Sequence, residues 1–244
     1  MATHTSGLVD FALTLAASYG PGESNVSLEA FLKSYCVAGG SRFDAANKPG
    51  QKFEYTNIGI ALSAYLLELR SGVSFDAFTA RHIFKPLGMT NTYWFLRDYK
   101  DVSSIAFPYD PEYPDLTHYG YPTYPDGQLR SSANDMAKFL AVMINGSSLG
   151  GATILEPKTL QAMLEPQFKD AEKDEDQGLF WAFKKGLIGH VGGDPGALCY
   201  LYWNPSTRIG AVVMGNTALT AKNSSGVVNI LKTVLRDPET AKLF

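Results

Sequence analysis

Apolar residues along the chain change their spacing once. Through roughly the first two thirds they recur at helical intervals, i, i+3 and i+4, and each run follows a small polar residue that can act as a cap. Ser27 precedes Leu28, Phe31 and Leu32, which predicts a first long helix. Asn57 reads as the cap of a second, running to about Arg70 and stopping at Ser71-Gly72. Ser74 and Asp76 open a third through Phe75, Phe78 and Ile83, ending before "KPLGM". Ser132, with Asp135 three residues on, has capping-box spacing for a fourth, whose Met136, Phe139, Leu140 and Met143 share a face until Asn145-Gly146. A short fifth starts at Pro157, where a missing N–H costs nothing.

After the polar run "KDAEKDEDQG", read as a solvated loop, the period falls to 2 or to continuous apolar segments, which predicts strands. "GLFWAFKKGLIGH" reads as a hairpin turning at Lys184-Lys185-Gly186, and "ALCYLYWNPSTRIGAVVMGN" as another turning at Asn204-Pro205-Ser206. A closing amphipathic helix with Val227, Val228, Ile230, Leu231 and Leu235 is expected to cover one sheet face. One stretch fits neither period. "FPYDPEYPDLTHYGYPTYPDG" holds five prolines and five tyrosines between Pro108 and Pro125, a density that predicts neither ladder nor helix. This loop, 107–127, either walls a binding site or packs on its own rings. The class expected is α+β, with helices on a mostly antiparallel sheet. A single domain spans 1–244, divided into a mainly helical lobe over 1–170 and a sheet with its C-terminal helix over 178–244.

The 244 residues, 45% hydrophobic and 18% charged, have ordinary globular composition, enough for a sizeable core. A net charge of −3, with no Lys/Arg cluster interleaved with aromatics, argues against nucleic acid as a partner. The longest apolar stretch, Ile58 to Leu69, is interrupted by Ser63 and Tyr65 and is too short for a membrane span. No signal peptide is legible at the N-terminus. Cys36 and Cys199 are open to two readings, one bridge or two buried thiols. His4, His82, His118 and His190 are scattered, without His-x-x-x-His or Cys-x-x-Cys spacing, so neither a metal nor another cofactor is expected.

Five stretches occur in order: "HTSGL" from His4, "FEYTNIG" around Tyr55 and Asn57, "KPLGMTNT" from Lys85, "GQLRSSANDMAKFL" from Gly127, and "GHVGGDPG" around His190. Together they resemble the serine β-lactamase-related family, which includes class C β-lactamases, D-alanyl-D-alanine peptidases and related esterases. The resemblance extends from about Thr3 to the C-terminal helix. It implies a β-lactamase/penicillin-binding-protein-like fold and acyl transfer through a serine on a Ser-x-x-Lys helix, with a β-lactam, a D-alanyl peptide or a short ester as substrate. Tyr55 and Asn57 match the Tyr-x-Asn element, in which the tyrosine carries protons to and from the serine and the asparagine orients substrate and lysine. His190, Gly192 and Gly193 match the sheet-edge segment where relatives carry Lys-Thr-Gly or His-x-Gly. There the strand backbone aligns the substrate and completes the oxyanion hole. The resemblance thus assigns Tyr55, Asn57 and His190 to catalysis, and Gly192 and Gly193 to substrate binding.

Serine is a poor nucleophile until a base takes its proton. A tyrosine with its ordinary pKa of about 10 is phenolate in roughly one molecule per thousand at pH 7, so it needs about 4 kcal/mol of help from a nearby cation. In the family that cation is the lysine of Ser-x-x-Lys. None of the lysines from Lys33 to Lys242 has a serine three residues before it. The resemblance therefore implies a chain that starts after its nucleophile, that is nearly inactive alone, and whose sheet has an exposed edge at which two copies can pair. The alternative is a non-catalytic binding or regulatory module that keeps the family cleft. Gly146-Ser147-Ser148-Leu149-Gly150 matches Gly-x-Ser-x-Gly, but a predicted helix stands where the nucleophile elbow needs a strand, so it reads as a surface turn. Ser6 reads as structural support, Trp181 and Trp203 as core. Relatives often work outside the cytoplasm; the compartment of this chain is not legible from these residues.

Overall fold

Capping chemistry sets the helix starts. Ser27 accepts the Ala30 N–H at 3.2 Å and opens the helix Leu28–Tyr35, whose Leu28, Leu32 and Tyr35 face inward. The next helix, Asn57–Ser71, is capped by Thr56 and not by Asn57: the Thr56 hydroxyl accepts the Gly59 N–H at 3.2 Å, and Asn57 is the first helical residue. Gly72, at φ 74°, ends it in the left-handed conformation that glycine adopts without strain. The third helix, Phe75–Thr79, receives its cap from its predecessor, because Glu68 accepts the Phe75 N–H at 2.7 Å. It then widens into a π-helical turn over Ala80–Phe84.

The computed structural model describes residues 1–37, 40–170, 175–218, 220 and 223–235. Its backbone contacts separate into two units. One comprises Met1–His82, Thr92–Ile105 and Thr117–Arg130, and holds the three helices just described up to the π-helical turn. Its core is aromatic: Trp94 donates its indole N–H to Thr79 at 2.8 Å and meets Tyr124 edge-on at 5.5 Å, while Tyr19 stacks on Tyr121 at 4.3 Å. The second half of the proline-tyrosine loop therefore packs on rings, with Tyr121 and Tyr124 buried. It also pairs, against expectation, since Tyr119–Gly120 forms a two-residue antiparallel ribbon with Gly20–Pro21. The glycine permits this: a Cβ at Gly120 would lie 2.8 Å from the Gly22 carbonyl oxygen.

The other unit comprises Ile83–Asn91, Ala106–Leu116 and the chain from Ser131 onward. It carries a six-stranded antiparallel sheet in the order Ile209–Gly215, Ala197–Asn204, Leu187–Asp194, Ala182–Lys184, Glu175–Gln177, Phe168–Asp170. The two expected hairpins are present. Lys185 and Gly186, both at positive φ, make the first turn, and Arg208 at φ 57° closes the second. The polar run expected as a loop instead supplies the last two strands, with Glu175 directly across from Lys184 and their charged ends 3.5 Å apart. Charge satisfied across an edge ladder does not register as apolar alternation. Residues 171–174 lie outside the described residues.

Strand alternation sorts the sheet into two faces. Leu187, Leu198, Tyr200, Tyr202 and Ala211 form one, buried under Val227, Leu231 and Leu235 of the helix Ser224–Leu235. The opposite face receives the helix Ala133–Ile144 so closely that a Cβ at Gly210 would sit 2.7 Å from Leu140 and 2.8 Å from Ile144. Ser132 caps that helix through the Asp135 N–H at 3.2 Å, as its spacing predicts. The Asp135 side chain does not complete the box; it turns to Asn91 and Lys138. Trp181 and Trp203 are core, packed perpendicular at 5.0 Å, and both cysteines are free thiols.

Candidate functional site

Tyr55 and Asn57 sit where the N-terminal segment meets a helix end. Residues His4 to Leu8 run antiparallel to the 43–54 segment: Leu8 bridges Phe43, Gly7 accepts from Asp44 at 2.8 Å, Thr5 from Gly50 at 2.7 Å and His4 from Glu54 at 2.7 Å. Gly7 is required there, since it adopts φ +76° and a Cβ would lie 2.7 Å from the Asn47 carbonyl oxygen. Ser6 accepts the Leu8 N–H at 3.3 Å, a turn-forming role.

A helix N-terminus leaves four backbone N–H groups without helical partners. Here side chains accept all four. His4 Nδ1 takes Thr56 N–H at 3.2 Å, Asp10 takes Asn57 N–H at 2.7 Å and Ile58 N–H at 3.1 Å, and the Thr56 hydroxyl takes Gly59 N–H. The same hydroxyl donates to Asp10 at 2.7 Å. Because His4 Nδ1 is an acceptor, its ring proton is on Nε2. The ring is 3% exposed and stacks on Tyr55 at 4.3 Å and 28°, with Phe53 edge-on at 5.8 Å. Tyr55 remains 44% exposed. Partial burial raises its phenol pKa above the ordinary 10.0, and the carboxylates of Asp126 and Asp10 push the same way. Tyr55 is therefore a phenol in this chain at neutral pH.

His190 and the glycine pair lie on the strand Leu187–Asp194 of the other unit. Gly189 is forced: a Cβ there would meet the Leu201 carbonyl oxygen at 2.2 Å and the Tyr202 ring at 2.3 Å. Gly192 and Gly193 are different, with nothing within 4 Å of a would-be Cβ. The neighbouring Ala182–Lys184 strand pairs with Leu187–Gly189. His190 Nδ1 donates to the Val191 carbonyl at 2.8 Å, which fixes the ring proton on that nitrogen in the neutral form. Burial lowers the His190 pKa below the ordinary 6.5, against smaller opposing effects of that bond and of Glu175. Cys199 lies directly across the ladder from Gly192, and burial raises its thiol to about 11.

Sequence reasoning missed Asp10 and Asp110, and singled out His4 only as part of the "HTSGL" stretch. Asp110 accepts the Gly196 N–H at 3.3 Å and ties the first part of the proline-tyrosine loop to the end of the His190 strand, where Gly196 has φ +67° and a Cβ would lie 2.7 Å from Pro108. In that part of the loop Tyr109 and Tyr113 are exposed, so of the two readings offered for the loop, the packed one holds only for Tyr119 to Tyr124. Ser148 belongs to a tight hairpin, Ser148–Leu149 with Ala152–Thr153, which follows a helix and is no nucleophile elbow. Among the described residues no three His, Cys, Asp or Glu side chains gather as a metal site, and no single helix is long and apolar enough to cross a membrane.

The family model described as Beta-lactamase matches residues 1–232. The chain belongs to the beta-lactamase family. It is similar to the "Unguisins hydrolase ungD" of Aspergillus violaceofuscus (strain CBS 115571), 24% identical over 221 residues, which cover 78% of this chain and 38% of that protein. The chain thus spans less than half the length of that curated relative. Among solved structures it resembles a penicillin binding protein from Bacillus halodurans, at 25% identity and TM-score 0.71 over 94% of this chain and 70% of the other. It also resembles a class C beta-lactamase, at 18% identity and TM-score 0.74 over 97% and 68%. The α+β fold is accordingly that of β-lactamases and penicillin-binding proteins, and the chain is a member of a hydrolase family.

Proposed function

We propose that the chain contributes to acyl transfer at an ester or amide bond, with Tyr55 as the proton carrier, Asn57 as an orienting group, and the strand at His190, Gly192 and Gly193 as the rail on which substrate backbone aligns. The observation that carries this reading is the investment of buried polar groups in one half-exposed tyrosine: His4 and Asp10 together fix the turn that presents Tyr55. Gly192 and Gly193 add a side-chain-free run of backbone along which an extended ligand can align. His190, kept neutral by burial, supplies hydrogen bonding there and no fixed positive charge at pH 7. β-Lactams, D-alanyl peptides and short esters all remain candidate substrates.

The chain contains no Ser-x-x-Lys, so these 244 residues alone are expected to hydrolyse very little. The purified chain is assayed with a chromogenic cephalosporin, a D-alanyl anilide and a p-nitrophenyl ester, alongside a fluorescent serine-directed phosphonate. Rates at the buffer level and no labelling are expected, with amide resonances of Gly192 and Gly193 shifting as a non-hydrolysable D-alanyl peptide is added. Phosphonate-sensitive turnover would show a nucleophile within this chain, and unmoved glycine resonances would remove the alignment role. The absent Ser-x-x-Lys also favours a second reading, a binding module that keeps the cleft; for it, peptide binding persists but no version of the protein that includes neighbouring coding sequence gains activity.

A further inference from the structure

We propose that Asp10 is the positioning residue of Tyr55: seated on the N-terminus of the helix Asn57–Ser71, its carboxylate fixes the Tyr55–Asn57 turn and sets a negative charge close to the proton carrier. The inference rests on the assignment of Tyr55 to proton transfer made above.

The geometry gives Asp10 three donors from three consecutive residues: the Thr56 hydroxyl, the Asn57 N–H and the Ile58 N–H. Hydrogen bonds to a charged acceptor are about twice as strong as neutral ones, and this acceptor also answers the positive end of the helix dipole. Thr56 supplies the usual side-chain cap through Gly59, and Asp10 adds the Asn57 and Ile58 N–H groups to it. The carboxylate therefore does more than start the helix. It arrives from 46 positions earlier in the chain, so it locks the "HTSGL" segment, and with it the His4 ring that stacks on Tyr55, to the Tyr-x-Asn turn.

Electrically, the Asp10 carboxylate opposes the positive end of the helix dipole. A free helix N-terminus beside a tyrosine would favour the phenolate; with Asp10 on it, that help is opposed by a full negative charge. Burial acts most strongly on Tyr55, followed by the carboxylates of Asp126 and Asp10, and one residue before it Glu54 is paired with Lys52 at 3.0 Å. His4, the remaining titratable neighbour, meets Tyr55 through its ring face. Asp10 thus adds to burial and to Asp126, the two larger effects, in disfavouring the Tyr55 phenolate.

The test follows the ionisation and orientation of Tyr55 directly and needs no turnover, so it can fail while the hydrolase reading stands, and the reverse. The chain is labelled at tyrosine Cζ with carbon-13, and the Tyr55 signal is assigned as the one missing in Tyr55→Phe. In Asp10→Asn, which keeps the shape and removes the charge, the Tyr55 titration is expected to move to lower pH than in the unmodified chain. In the unmodified chain, acidification is expected to shift the amide signals of Asn57 and Ile58 and the Tyr55 ring signals with one common midpoint. A Tyr55 titration unchanged in Asp10→Asn overturns the proposal. So do amides of Asn57 and Ile58 that titrate with acid while Tyr55 stays still, the behaviour of a purely structural cap; this second measurement decides the matter if Asp10→Asn does not fold.

Discussion

The carboxylate of Asp135 accepts the backbone N–H of Asn91 at 2.7 Å across 44 positions of sequence. It is 1% exposed, and its other oxygen accepts from Lys138 at 2.9 Å. Lys138 in turn reaches the carbonyl of Gly88. Two of the five sequence stretches, "KPLGMTNT" and "GQLRSSANDMAKFL", are therefore joined by a buried acid that ties a turn to a helix.

Removing that acid takes the carboxylate acceptor from the Asn91 N–H and forfeits the bond from Lys138. Asp135→Ala is expected to cost about 3 kcal/mol of stability, and Asp135→Asn, which keeps an acceptor, markedly less. Urea denaturation of the two variants checks the order.

The glycines of the His190 strand are predicted to separate sharply. Gly189→Ala forces a Cβ into the Leu201 carbonyl and the Tyr202 ring and is expected to cost about 1–3 kcal/mol or to displace the strand. Gly192→Ala and Gly193→Ala meet open space, and their stabilities should stay within about 0.5 kcal/mol of the parent. In the peptide titration the last two variants should bind more weakly despite unchanged melting temperatures, because the added methyl groups stand where the ligand lies.

Much of this architecture is legible in the sequence because it is local. Ser27 and Ser132 announce their helices, and Lys185-Gly186 and Pro205-Ser206 announce their hairpins, within a few residues of the elements they control. Tyr55, His190 and the glycine pair were found through motif likeness. Asp10 gives no signal, since an acid 46 residues before the helix it caps has no characteristic spacing, whereas Thr56 and Asn57 are adjacent and both suited to cap, so the pattern alone does not separate them. The strands Phe168–Asp170 and Glu175–Gln177 were hidden by cross-strand charge pairing, which looks like a solvated run in one dimension.

Acid should weaken the fold through its histidines. Burial lowers the His190 pKa, and burial together with Arg130 lowers that of His118. The native chain consequently binds fewer protons than the unfolded chain just below the ordinary value of 6.5, so stability is full above that pH and falls as pH drops through it. Urea midpoints measured from pH 8 to pH 5 should fall, and His190→Gln should flatten part of the decline.

The Cys199 thiol, raised to about 11 from 9.0, holds about a hundredfold less thiolate at pH 8 than an ordinary thiol. Its reaction with Ellman's reagent should be slower in the native chain by about that factor than in urea, with Cys199→Ser assigning the slow phase. Two thiols should titrate in urea without any reductant, as expected of free Cys36 and Cys199.

The placement of the three tryptophans gives the molecule separate optical reporters. Trp181 and Trp203, perpendicular and 5.0 Å apart, should couple as an exciton pair in near-ultraviolet circular dichroism and follow the sheet unit alone. Trp94, its indole bonded to Thr79, belongs to the Tyr55 unit, so its fluorescence in a Trp181→Phe/Trp203→Phe background follows the other half. Whether the two halves melt together or in succession can thus be read from light alone.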